Sequence, residues 1–187
     1  MALFGSYRSN RFVIHQLTRR AVLTRYRGTA LGLIWSLLTP MLMLAIYTFV
    51  FGLVLEIRWP AQEGGLARFP AILFSGMIIH SLLSDCLIQS TTVIADNPQY
   101  VKKVVFPLEA LPWVTVLSAL FQAGVSLFVL ILYLLGLLLL ENDHSFGWSV
   151  VFIPLPFVMI SIVCLGIGWF VSAAAVYFRD IGQLMGV

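Results

Sequence analysis

Charge is scarce in this chain, and it is missing in long blocks. Thr29–Leu55 contains no Asp, Glu, Lys, Arg or His in 27 residues, Ala110–Leu140 none in 31, and Ser145–Phe178 none in 34. Phe69–Ala95 holds only His80 and Asp85 in 27. At 10% charged and 60% apolar, the composition is far from the soluble norm of about 25% charged. A helix needs about 20 apolar residues to cross roughly 30 Å of hydrocarbon, so each block is long enough to span a bilayer. Backbone polar groups must be satisfied internally in lipid, which makes these runs α-helices. Four spans and their connections use the length of these 187 residues, so no separate water-soluble domain is expected within them.

Other absences narrow the chemistry. Lysine occurs only at Lys102 and Lys103, neither after glycine. A phosphate-binding loop needs Gly-Lys-Ser/Thr, so any ATP must be hydrolysed by a partner. His15, His80 and His144 are scattered, and no His-Glu-x-x-His, Cys-x-x-Cys or Gly-x-Ser-x-Gly occurs. No enzyme, metal or cofactor is expected. The two cysteines, Cys86 and Cys164, fall inside spans and read as small apolar fillers, not as a disulfide framework. A net charge of +3, small and dispersed, gives no reason to expect nucleic acid. About thirty residues precede the first apolar run, too many for a cleavable signal peptide, so that span is expected to stay as an anchor.

The charges that remain set the orientation. Arg8, Arg11, Arg19, Arg20, Arg25 and Arg27 precede the first block; Arg58 and Arg68 follow it, balanced by Glu56 and Glu63. Lys102 and Lys103 follow the second block, only Glu141, Asp143 and His144 the third, and Arg179 the fourth. An N-terminus in the cytoplasm puts nine positive residues inside and two outside, as the positive-inside rule requires. The reading is an all-α, multi-pass protein of the cytoplasmic (inner) membrane. It has a cytoplasmic segment 1–28 and a transmembrane region 29–187, with spans near 33–55, 70–94, 112–138 and 150–176. Trp35, Trp59, Trp113 and Trp148 fall near span ends, where indole rings favour the headgroup level, and Trp169 near the cytoplasmic end of the fourth.

Residues 10–27 predict an amphipathic interfacial helix. Val13, Ile14, Leu17 and Ala21 share one arc, His15, Gln16, Arg19, Arg20 and Arg27 the other, while Phe12, Val22 and Leu23 break the pattern. Two readings stand: a helix on the cytoplasmic leaflet touching a partner, or a basic topology signal. The second cytoplasmic loop predicts another short helix. Asn97 suits an N-cap and Pro98 the first helical position, while Pro107 ends it about two turns later. Val101, Val104 and Val105 share one face, and Gln99, Lys102 and Lys103 the other. Docking to another protein and a tight re-entry turn are the alternatives.

Polar side chains inside the spans recur at helical spacing. The second span carries Ser81, Ser84, Asp85, Gln89 and Thr92, the third Thr115, Ser118, Gln122 and Ser126. Asp85 should face protein or water, because a charge near the bilayer centre costs roughly 2.5–3.5 kcal/mol. It is either a pathway residue or a buried hydrogen-bonding partner. The stripes either line a route for a hydroxyl-rich substrate or hold helices together, as Gly168 and Ser172 would on the fourth span.

The segment Tyr26-Arg27-Gly28-Thr29-Ala30-Leu31-Gly32-Leu33-Ile34-Trp35-Ser36-Leu37-Leu38-Thr39-Pro40 resembles the approach to the first span of ABC-2 type permeases. These are the membrane subunits of exporters for O-antigen, capsular polysaccharide and teichoic acid. Asn97-Pro98, followed by Val101-Lys102-Lys103-Val104-Val105-Phe106-Pro107-Leu108-Glu109 and Leu111-Pro112, is similar to that family's loop after the second span. Tyr177-Phe178-Arg179-Asp180-Ile181 is similar to its segment after the fourth. The resemblance runs from about Arg8 onward. It implies a coupling helix at 97–107, with Asn97, Tyr100, Lys102, Lys103, Phe106 and Pro107 facing a separate ATP-binding subunit. It implies that Arg27, Leu31 and Gly32 lie in a loop that meets the incoming lipid headgroup. It further implies two permease copies with two ATPases, moving a lipid-linked glycan outward across the membrane. Family members have six spans and this chain stops soon after its fourth, which implies a fragment or a truncated product. The alternatives are an ABC-2 exporter of small molecules and, from another class, an ATP-independent structural subunit or embedded enzyme.

Overall fold

Six helices account for most of the residues that the computed structural model describes, namely 2–55, 68–94, 110–141, 154–178 and 180–184. They are α1 (Ala2–Arg25), α2 (Ile34–Tyr47), α3 (Arg68–Thr92), α4 (Leu111–Glu141), α5 (Pro154–Tyr177) and the single turn α6 (Ile181–Leu184). α2 continues through Thr48–Val54 in wider π-helical winding, closed by the Leu55 amide on the Val50 carbonyl at 2.9 Å. No strand occurs among the described residues. Four helical stretches there are long and apolar enough to cross a membrane: Ile34–Val54, Phe69–Thr92, Leu111–Leu137 and Leu155–Tyr177. The segment 97–107, the loop residues Arg58, Glu63, Asp143 and His144, Trp59 and Trp148, and residues 150–153 of the expected fourth span lie outside the described residues.

α3 is the central helix, packed on α4 and α5 and touching α2 and α6. Ile78, Leu82 and Cys86 of α3 meet Val116, Ala119 and Ala123 of α4 and Cys164 and Leu165 of α5 in one buried cluster. Small residues at this seam let the helices approach, which drives association in lipid where apolar burial alone gives little. Gly168 of α5 is the tightest case: a Cβ there would stand 3.1 Å from Ser90 Oγ of α3. Trp113 and Trp169 pack edge to face at 6.1 Å, joining the start of α4 to the last turns of α5. Outward faces are apolar instead of polar, with Phe128, Met159, Ile162 and Phe170 more than half exposed. In water such an exterior would aggregate; in hydrocarbon it is ordinary.

α1 starts earlier than its amphipathic pattern predicted and stops earlier too. No proline interrupts residues 2–25. Beyond Arg25 the chain turns at Gly28 and Gly32, whose φ of 91° and 54° no helix can use and few side chains tolerate. The predicted apolar arc is turned onto the protein's own α4: Ile14, 1% exposed, packs with Ala110 and Val114, flanked by Leu17 and Ala21. Phe12 and Leu23, which spoiled the pattern, are the exposed ones. The helix therefore has two apolar aspects, one docked on the bundle and one facing outward.

Candidate functional site

Where α1 gives way to the turns that lead into α2, four helices present polar groups to one another. Arg25, the last residue of α1, reaches α3 with both guanidinium branches. Its Nη1 donates to Asp85 Oδ2 at 3.0 Å and its Nη2 to Asp85 Oδ1 at 3.1 Å. This fork-on-carboxylate geometry is the strong form of the ion pair. The side chains are 46% and 24% exposed, so solvent still screens it. The hydrogen bond to Asp85, more than the opposing effect of burial, holds the Arg25 guanidinium above its usual range.

Tyr26 follows and turns toward α4. Its hydroxyl donates to Gln122 Oε1 at 2.6 Å. Burial raises the Tyr26 phenol above its ordinary value against the pull of the Arg25 charge, so it stays a donor throughout the neutral range. Gln122 Nε2 donates in turn to the Ser36 carbonyl of α2 at 3.3 Å. Four residues on from Ser36 stands Pro40, inside the helix and without an N–H. The carbonyl that Pro40 leaves without its α-helical donor is the one Gln122 serves. One turn further along, Ser118 Oγ lies 2.9 Å from Gln89 Oε1 of α3. It lies equally close to the Thr115 carbonyl. Thr115 Oγ1 donates to the Pro112 carbonyl of its own helix at 2.8 Å, outside this cross-helix set.

Two cavities flank the cluster. One of about 280 Å³ is lined by Arg25, Tyr26, Asp85, Gln89, Ser118 and Gln122, with Ile88 and Phe121 as apolar walls. The other, about 380 Å³, shares Arg25, Tyr26, Asp85 and Gln122 and extends past Pro40 to Tyr47 and Phe74. A hollow of about 660 Å³ lies on the far side of α1, lined by Arg19, Arg20, Arg27, Tyr26, Gly32 and Leu33 among others. Three arginines and no acidic residue line it among the described residues, which makes its wall basic. Leu31 stands beside it, 46% exposed.

The structure thus brings together Asp85, Gln89, Ser118 and Gln122, and places Arg27 with Gly32. Asn97, Tyr100, Lys102, Lys103, Phe106 and Pro107 fall outside the described residues. Sequence reasoning passed over Arg25, Tyr26, Ser36 and Pro40 as members of the site. Arg25 was one of six arginines before the first span and carried no mark of its own. Asp85 gave the available signal, because a lone intramembrane carboxylate calls for a counter-ion.

A family model described as ABC-2 type transporter matches residues 13–187. The chain is similar to the O-antigen export system permease protein RfbA of Myxococcus xanthus, 27% identical over 175 residues, 94% of this chain and 63% of that one. Two proteins of the same name from Klebsiella pneumoniae are 25% and 23% identical, each covering 91% of this chain. The chain spans 62–63% of the length of these curated relatives.

Proposed function

The chain belongs to the ABC-2 type transporter family, and we propose that it is the permease part of an ATP-driven exporter of lipid-linked polysaccharide. The observation that carries this reading is the likeness, over nine-tenths of the chain, to relatives named as O-antigen export permeases. In this reading two permease copies stand side by side in the cytoplasmic membrane with their N-termini inside, each seated on an ATP-binding subunit through residues 97–107. ATP binding closes the two ATPases and presses on that helix. The push tilts the spans around a route between the copies.

The site supplies chemistry suited to such a substrate. The basic hollow of Arg19, Arg20 and Arg27 beside Gly32 suits the phosphates of a lipid-linked glycan, which forked guanidinium groups bind well. The planar amides and carboxylate of Gln89, Gln122 and Asp85, with Phe121 as an apolar wall, suit hydroxyl-rich surfaces. The family and its named relatives are transport permeases, so in this reading the role is transport, with ATP consumed by a partner.

Deletion of the gene tests the reading. Surface polysaccharide should vanish while its lipid-linked precursor accumulates inside, and the full-length gene should restore export. Unchanged surface polysaccharide in the deletion strain would refute it.

A further inference from the structure

We propose that Gln122 is a positioning residue that ties the end of α1 to the notch Pro40 cuts in α2, so that the two helices move together. The inference concerns how force passes through the chain and holds whatever substrate is carried.

The chemistry of one amide carries it. A carbonyl oxygen only accepts, so the Gln122 group facing Ser36 O must be the NH₂, and the group facing the Tyr26 hydroxyl must be the oxygen. Both ends of the side chain are thus committed, one to the residue after α1 and one to the backbone of α2. The second contact depends on Pro40. An ordinary residue at position 40 would donate its N–H to Ser36 O and draw that carbonyl back along the helix axis. Pro40 instead leaves it turned toward α4, where Gln122 takes it at 3.3 Å. Ser126 Oγ, on the next turn of α4, donates to the Gln122 carbonyl at 3.2 Å and so bonds the same residue's backbone. Beside this tie, Arg25 is held to Asp85 of α3. The junction between α1 and the first span is therefore fixed to two different helices by adjacent residues, 25 and 26. Motion of α1 cannot leave α2 behind while Gln122 keeps both bonds.

Spin labels at His15→Cys on α1 and Leu42→Cys on α2, both exposed positions, report the coupling in full-length protein in lipid nanodiscs by pulsed dipolar spectroscopy. The native Cys86 and Cys164 are 1% exposed and do not compete for label. Gln122→Leu removes both bonds and should raise the population of released α1–α2 distances roughly 5- to 150-fold, the factor that loss of two net hydrogen bonds gives. Pro40→Ala should raise it too, although it improves α2 as a helix. Gln122→Glu keeps the acceptor for Tyr26 but sets a second acceptor against the Ser36 carbonyl, and should release α1 from α2 at least as much as Pro40→Ala. In the Gln122→Leu background Pro40→Ala should add nothing, the non-additivity of residues that act as a unit. A Pro40→Ala distribution that is unchanged or narrower, as a merely structural proline would give, overturns the proposal. Additive effects of the two substitutions overturn it as well.

Discussion

Arg25 and Asp85 stand 60 residues apart in the chain, yet Arg25 Nη1 lies 3.0 Å from Asp85 Oδ2. The last residue of the N-terminal helix is thereby fastened to the one acidic side chain in the second apolar block. Exchange of the two charges tests this pairing. Arg25→Asp or Asp85→Arg alone sets like charges together and should lower the melting temperature of the purified protein. Each partly exposed pair of this kind contributes up to about 1 kcal/mol. The double exchange should recover most of the loss, read by intrinsic fluorescence on heating. A double variant less stable than either single one would contradict the pairing.

Gly168 sets the distance between α5 and α3. Gly168→Ala should cost less than a larger side chain, because its Cβ crowds only the Ser90 hydroxyl, at 3.1 Å, which must shift while held by the Cys86 carbonyl. Gly168→Leu should destabilise by about 1–3 kcal/mol, the usual result of overfilling a packed seam. Equal melting temperatures for the Ala and Leu variants would show that the seam is loose.

Much of the fold was legible because lipid imposes a simple rule: a span tolerates little charge, and three blocks without charge and a fourth holding only His80 and Asp85 became four apolar helices. The polar residues of the site were legible as stripes, since Ser118 and Gln122 fall on one face at helical spacing. Their partners were not. Arg25 belongs to a run of arginines that count alike in the sequence, and only three-dimensional packing selects one of them for Asp85. Pro40 was visible as a residue, but the carbonyl it exposes is a backbone group, and backbone groups carry no sequence mark. The widening of α2 at Thr48–Val54 had no signal either, because that stretch reads as ordinary apolar helix. Phe12 and Leu23 looked like defects of an amphipathic pattern and instead form a second apolar face.

Topology has a direct chemical test. Gln62→Cys should react with a membrane-impermeant maleimide from outside the cell, and Gln99→Cys only after the cytoplasmic side is opened. Labelling in the reverse sense would contradict the orientation derived from Arg and Lys counts.

Lys102 and Lys103 are the two positive charges of the proposed coupling segment. Reversal of both to Glu should abolish export while membrane insertion, followed by fractionation and blotting, is retained. Unimpaired export by Lys102→Glu/Lys103→Glu would remove the coupling role.

The most direct test of the transport role reconstitutes the full-length protein, with the ATP-binding subunit that co-purifies with it, into liposomes. The lipid-linked glycan is loaded on the face that carries the ATPase, and glycan reaching the opposite face is measured with and without ATP. The account predicts transfer that requires ATP and the permease together, and that fails with Lys102→Glu/Lys103→Glu. Transfer equal in the absence of ATP, or none from an intact complex that still hydrolyses it, would contradict the account.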